Sequence, residues 1–311
     1  MKAQLKRLGL VVSRPLKTVF DTIAVWFVAA LFRGLRRADR KRIANGAARF
    51  MRHVGPWLPE HRVGRANLAA AFPEKSPAEI ETILLGAWEN LGRVAAEFAH
   101  LDRLKILDLE RGGAADITYE PVSTARFMEV RDAKRPTLFF AAHLANWELP
   151  ALAAASFKLD ALSLYRPPSV RAISDAVIKI RAGCMGTLVP TGYAAPVRLA
   201  RGLEQGQHVG MLVDQHDGRG VDVTFFGRTC KANPLIAHLA RHLECPIRGV
   251  RLVRQPDGNR FWGEMTEALE LPRDDKGRLD VQRTMQAITS VIEGWVREHP
   301  EQWLWQHRRW R

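Results

Sequence analysis

The chain has 311 residues, 47% of them hydrophobic, with 47 Lys plus Arg against 33 Asp plus Glu and a formal net charge of +14. That length suits one large α/β domain with a helical appendage, or two small domains, and the ordinary composition excludes a disordered, collagenous or repeat-built chain. Three scattered cysteines, Cys184, Cys230 and Cys245, exclude a disulfide framework and a paired metal knuckle and read as buried thiols in a reducing compartment. The positive excess attracts nucleic acid, anionic lipid or acidic protein, and charge alone does not choose among them.

From the N-terminus, Val19–Phe32 is apolar around nearly the whole of a helix, interrupted only by Asp21 and Thr22. Lys2, Lys6, Arg7, Arg14 and Lys17 precede it, and Arg33, Arg36, Arg37 and Arg40 follow. The run is shorter than the ~20 residues a spanning helix needs, and no small-residue cleavage site follows it. Residues 1–42 therefore read as a membrane-anchoring segment, either a short tilted span or a helix lying in the interface with its arginines on anionic headgroups. A buried helix of a soluble domain is the competing reading. Nine tryptophans, several beside arginines, lean towards an interfacial protein.

The remainder, 43–311, reads as the main domain, helical over 43–105 and α/β over 135–311. Ser76 is a good N-cap, Pro77 suits the first helical position, and Glu79 completes a capping box. Ile80, Ile83, Leu84, Ala87, Leu91, Val94, Ala95 and Phe98 then keep helical spacing. Beyond Arg135 the pattern changes to short apolar runs, "TLFFAA", "ALSLY", "GTLVP", "HVGMLVD" and "IRGVRLV", most of them separated by helical stretches. Buried strands alternating with helices imply an α/β fold with a mainly parallel sheet flanked by helices. A hairpin turning at Pro256–Asn259 and an amphipathic helix over about Val281–Glu298 complete the chain, before the tail "HPEQWLWQHRRWR".

Ligands of open parallel sheets bind beyond the carboxyl ends of the strands. His143 ends the run "TLFFAAH", and Glu148 follows five residues later. Asn146 is the expected N-cap of the next helix, with Trp147, Glu148 and Leu149 as its first residues, and is also a candidate substrate-binding or oxyanion residue. The helix dipole there favours an ionised Glu148, able to fix the tautomer of His143 and to compensate the imidazolium. The spacing by itself is what chance supplies; its position between a strand and a helix gives it meaning. Arg166, ending the next strand, reads as a phosphate or oxyanion ligand or as a turn arginine. Asp214, ending "HVGMLVD", binds substrate, orients a basic group, or simply terminates its strand. His238 and His242 lie four apart, but no third ligand has convincing spacing, so solvent-facing histidines are favoured over a metal pair. No G-x-S-x-G elbow, P-loop or dinucleotide fingerprint is present.

Six ordered motifs carry a resemblance over about residues 20–311: "RANLAAAFPEKSPAEI" at 65–80, "HLANWE" at 143–148, "YRP" at 165–167, "LVDQ" at 212–215, "FFGR" at 225–228 and "HPEQWLWQHRRW" at 299–310. The chain resembles the late acyltransferases of lipid A biosynthesis. The resemblance implies a glycerolipid-acyltransferase-like fold, with His143 and Glu148 as the catalytic dyad and Arg166 and Asp214 as companion site residues. It implies transfer of an acyl chain from a thioester, usually on acyl carrier protein, to a hydroxyl of a lipid A precursor. It also implies an inner-membrane location facing the cytoplasm, with anionic lipid as a partner. The "YRP" motif departs from the family's usual asparagine, being followed by Pro168, Ser169 and Val170. No metal or nucleotide cofactor is expected, and acyl carrier protein enters as a co-substrate. Rivals are an acyltransferase for another glycolipid or phospholipid precursor, and a non-enzymatic basic protein binding membrane or nucleic acid. The spread of the basic residues and the lack of a legible nucleic-acid module argue against nucleic acid as a partner.

Overall fold

The computed structural model describes residues 34–108, 112–133, 135–167 and 171–310. The apolar run Val19–Phe32, expected as the membrane anchor, and the Pro168–Val170 departure lie outside the described residues. Among those described, no helix is long and apolar enough to cross a membrane.

Three helices open the described chain: α1 (Arg40–Val54), α2 (Pro59–Ala71) and α3 (Pro77–Glu97). The Ser76/Glu79 capping box that starts α3 forms as expected, with Pro77 in the first turn. Of the expected apolar face, Ile80, Leu84, Ala87 and Val94 are buried, whereas Ala95 is exposed. Helices α1 and α3 approach closely at Gly92, where a Cβ would strike the Ala47 carbonyl.

Seven strands then form one sheet: β1 (Ile117–Tyr119), β2 (Leu138–Ala141), β3 (Ala161–Tyr165), β4 (Thr187–Pro190), β5 (His208–Leu212), β8 (Ile247–Arg254) and β9 (Phe261–Ala268). Their order is β1-β9-β8-β2-β5-β3-β4. β8, β2, β5, β3 and β4 run parallel, β9 returns antiparallel to β8, and β1 pairs parallel with β9. The sheet is thus mainly parallel, as the alternating pattern implied. The expected hairpin is the β8–β9 connection, its ends joined by Gln255 N–H donating to the Arg260 carbonyl at 2.9 Å. A separate antiparallel ribbon, β6 (His216–Phe225) with β7 (Arg228–Ala232), leaves the sheet after β5.

Helices α4 (Pro121–Asp132), α5 (Leu149–Ser156), α6 (Arg171–Cys184), α7 (Ala195–Glu204), α8 (Leu235–Leu243) and α9 (Val281–Glu298) complete the fold. All of β2 is buried, which is why its run does not alternate. Leu138 and Phe140 join Leu199, Ile236 and Ile292 of α7, α8 and α9 in the larger core, while Phe139 packs with Phe127, Leu159 and Met265 on the opposite face. Several of the tryptophans pack inside the protein and so lend the interfacial reading no support. Trp88, Trp295, Trp303 and Trp305 are buried in this core, and among the described residues Trp57 is the one tryptophan that is a large exposed apolar side chain.

Candidate functional site

His143 lies two residues beyond β2 and Asp214 two residues beyond β5. These strands are parallel neighbours with Ala141 opposite Leu212, so the register sets the two polar residues side by side. Asp214 Oδ1 lies 2.7 Å from His143 Nδ1. Its Oδ2 accepts the backbone N–H of His143 at 2.8 Å and the indole N–H of Trp303 at 2.8 Å. Burial alone would push the Asp214 carboxyl up. The His143 ring, its hydrogen bonds and the Trp303 donor outweigh that and hold it down at about 2. The carboxylate is therefore ionised and can only accept, so Nδ1 carries a hydrogen. That tautomer leaves the Nε2 lone pair for other work, and the Gln215 side-chain amide stands 3.2 Å from it.

Glu148 does not hold His143 as the spacing suggested. Its carboxylate is paired instead with Arg181 of α6, through Nε at 2.9 Å and through Nη2. The Arg181 guanidinium is flanked by the rings of Phe98, 5.6 Å away, and Tyr165, 5.8 Å away. The reason is geometric. Strand pairing places residue 214 beside residue 143, while the chain turns between His143 and Glu148 and aims the acid towards the next helix. Glu148 is nonetheless buried, on the wall of the same cavity as His143.

Asn146 also departs from expectation. α5 begins at Leu149, with Glu148 rather than Asn146 at the N-cap position. Asn146 makes a local turn, its Oδ1 accepting the Glu148 N–H at 3.2 Å, and it is fully buried. Its amide group donates to Glu97 Oε2 at 2.9 Å. Glu97, without solvent exposure, is gripped by Arg254 at 2.5 and 3.0 Å, and Arg254 reaches Asn90 at 2.9 Å. Asn90 donates to the carbonyls of Ala145 and Gln302, each at 3.0 Å. Ala145 itself sits at φ 47°, a conformation that a residue with a Cβ adopts only when its surroundings impose it. The loop 143–148 is thus clamped from beneath by α3, β8 and the C-terminal segment.

His143, Glu148, Arg166 and Gln215 line one cavity of about 1190 Å³. Arg166 is exposed just beyond β3. Away from these polar groups the walls are apolar: Phe139, Leu159, Met265, Phe127 and Phe157. Phe139 precedes His143 by four strand positions, a depth of roughly 13 Å at about 3.3 Å per residue. Phe157 closes this part by packing on Tyr119 and Phe127, with ring centroids 5.7 and 5.3 Å apart. Gly210 forms part of the lining, and a Cβ there would meet nothing within 4 Å.

Three of the expected site residues, His143, Glu148 and Arg166, therefore share this cavity; Asp214 stands behind its wall, joined to it through His143, and Asn146 supports the loop from beneath. Arg181, Gln215, Trp303 and Glu97 were not anticipated. His238 and His242 are exposed on α8, and among the described residues no group of three or more His, Cys, Asp or Glu is placed to hold a metal. A histidine with a fixed tautomer and an available Nε2, above an apolar cleft, is equipped to take a proton from a hydroxyl presented with a long apolar ligand.

No curated protein matches the chain in sequence. A family model does, over residues 14–311. This chain belongs to the bacterial lipid A biosynthesis acyltransferases and is an enzyme that transfers acyl groups.

Proposed function

We infer that the protein moves a fatty acyl chain from a thioester, with acyl carrier protein as the donor, to a hydroxyl of a lipid A precursor. The observation that carries this reading is the His143–Asp214 pair opening onto a cavity that is polar at one end and apolar in depth. Its volume, about 1190 Å³, exceeds the ~300–1,000 Å³ of ordinary small-molecule sites, which suits an acyl chain together with part of a glycolipid.

The acyl chain lies along Phe139, Leu159 and Met265, with its thioester carbonyl beside His143. The acceptor hydroxyl displaces the Gln215 amide from His143 Nε2. Nε2 removes the hydroxyl proton as the oxygen attacks the thioester carbon, and Asp214 stabilises the imidazolium that forms. Arg166 faces the oxyanion of the tetrahedral intermediate. The intermediate collapses by breaking the carbon–sulfur bond, and the departing thiolate takes the proton from the imidazolium. No acyl-enzyme is needed, because the nucleophile comes from the acceptor. Glu148, neutralised by Arg181, fixes the cavity wall and the start of α5. No metal or nucleotide takes part. The reaction is placed at the cytoplasmic face of the inner membrane, with the apolar run 19–32 as anchor and the basic surface meeting anionic lipid and the acidic carrier.

The test is an acyl-transfer assay on purified protein with a panel of acyl carrier protein thioesters and a tetraacylated lipid A precursor, read by mass spectrometry of the lipid product. The wild type is expected to add one acyl group to the precursor, and His143→Ala to lose most of that turnover while remaining folded. Near-normal turnover by folded His143→Ala would overturn the mechanism. Acylation of only a different lipid class would overturn the acceptor.

A further inference from the structure

A second feature at the same edge of the sheet has no part in the chemistry above. Register pairing sets Ala141 opposite Leu212 and Tyr165 opposite Pro190, and β3 lies beside β5. The segment after β4 therefore emerges from the edge where His143 and Arg166 stand. β4 is three strands from β2, so this segment lies roughly 15 Å to one side of His143 at about 4.8 Å per strand. Thr191, its first residue, lines the cavity.

This segment carries apolar groups that are exposed among the described residues. Tyr193 is fully exposed, Val197 is 64% exposed, and Ala194 and Pro196 between them are exposed as well. The inner face of α7 is satisfied, since Ala195, Leu199 and Leu203 belong to the core. On its outer face Val197 lies one helical turn from Arg201, and Arg198 is beside it, both arginines exposed. The acid of this helix, Glu204, is at its far end. An apolar tip bearing a tyrosine, with arginines behind it and Arg166 at the neighbouring cavity mouth, has the composition of a surface that enters a headgroup layer.

We propose that the Tyr193–Val197 tip docks the cavity mouth onto an anionic lipid bilayer, with Tyr193 and Val197 entering the interface and Arg198 and Arg201 meeting lipid phosphates. This rests on the lipid-acyltransferase reading, because a mouth that accepts a membrane lipid gains from being held against the bilayer. The contact is additional to any made by residues 19–32. It sets the direction from which the acceptor reaches His143.

The test uses the full chain with a nitroxide at Tyr193→Cys in a Cys184→Ser background, and a second label at Gln205→Cys, at the opposite end of α7. Both are mixed with vesicles of phosphatidylcholine containing anionic phosphatidylglycerol. The label at 193 is expected to become accessible to dissolved oxygen and shielded from a water-soluble nickel complex, while the label at 205 stays aqueous. Anchoring through 19–32 alone would leave both labels aqueous and overturn the proposal. So would a label at 193 that responds to acyl carrier protein but not to vesicles. In parallel, Tyr193→Ser/Val197→Ser is expected to raise the apparent KM for vesicle-borne acceptor about tenfold and to leave turnover of detergent-dispersed acceptor unchanged. Equal kinetics in both formats would overturn the proposal. Absence of wild-type turnover in detergent would instead strike the enzymatic reading, and the label depths would still decide the docking.

Discussion

Asp214→Asn isolates the role of the pair. The native carboxylate receives three N–H groups, from the His143 ring and backbone and from the Trp303 indole. Asparagine has one oxygen acceptor and one NH₂. Two of the three donors converge on Oδ2, so the amide oxygen takes that place and the NH₂ faces His143 Nδ1. The imidazole must then offer a lone pair at Nδ1 and carry its hydrogen at Nε2, where a hydroxyl can no longer give up a proton. The loss is the whole of general-base assistance, about 10²- to 10⁴-fold in kcat. KM for the acyl donor should change little, because the apolar cavity is untouched. Steady-state acyl transfer, with thermal melting to confirm folding, reads both quantities. Turnover within about threefold of wild type in folded Asp214→Asn would refute the assignment of the tautomer to Asp214.

The same carboxylate makes stability depend on pH. Its folded value, about 2, lies below the ordinary 3.8, so the unfolded chain binds the proton first as pH falls. This contribution, roughly 2 kcal/mol at 1.36 kcal/mol per unit, is present above about pH 4 and fades towards pH 2. Urea midpoints between pH 5 and 2.5 should fall less steeply in Asp214→Asn than in wild type, and parallel slopes would count against it. Arg181→Met leaves the buried Glu148 without its partner and should cost about 3 kcal/mol in chemical denaturation; a loss below about 1 kcal/mol would show that the pair is not what holds the Glu148 carboxylate. Gly210→Val places a side chain in open cavity space, so the protein should fold normally yet shift its preference to shorter acyl thioesters, as competition between donors of different length would report.

Sequence and structure agree where physics is local or periodic. The capping box at Ser76, the buried strand runs and the amphipathic α9 all reflect interactions within a few residues of one another, so they are legible in one dimension. α4 and the β6–β7 ribbon were not anticipated. The former, "PVSTARFMEVRD", has no apolar stripe, and β6 opens with His216, Asp217, Gly218 and Arg219. The site divides in the same way. His143, Glu148, Arg166 and Asp214 could each be found at a strand or helix end, but their partners depend on strand order. A signal for the true partner of His143 did exist. Two apolar runs, "LFFAAH" and "VGMLVD", each end on a polar residue after a similar length, as adjacent parallel strands would. Arg181, Trp303 and Glu97 had no such signal, because each of these residues lies 38 or more positions from His143 in sequence.

The C-terminal tail shows how far a composition argument can mislead when contacts are unknown. Its arginines and tryptophans resemble a basic strip for membrane or nucleic acid, yet Arg309 is 1% exposed and donates to the carbonyls of Gln215 at 3.1 Å and Lys231 at 2.6 Å. Trp303 supplies one of the donors that keep Asp214 ionised, and the neighbouring backbone pairs with the loop through Leu144 and through the Leu304 N–H to the His143 carbonyl. The tail therefore fixes both members of the pair. Because it binds the loop and the carboxylate at once, removing Trp303 and removing Asp214 should not be additive. Once the carboxylate is gone, the indole has nothing left to orient. Trp303→Phe should slow acyl transfer about tenfold in the wild type, the effect of roughly 1.4 kcal/mol from one buried charge-assisted hydrogen bond, and scarcely at all in Asp214→Asn. A double-mutant cycle measures the difference directly. Full additivity would mean that Trp303 serves only packing and that Asp214 needs no help to hold the imidazole.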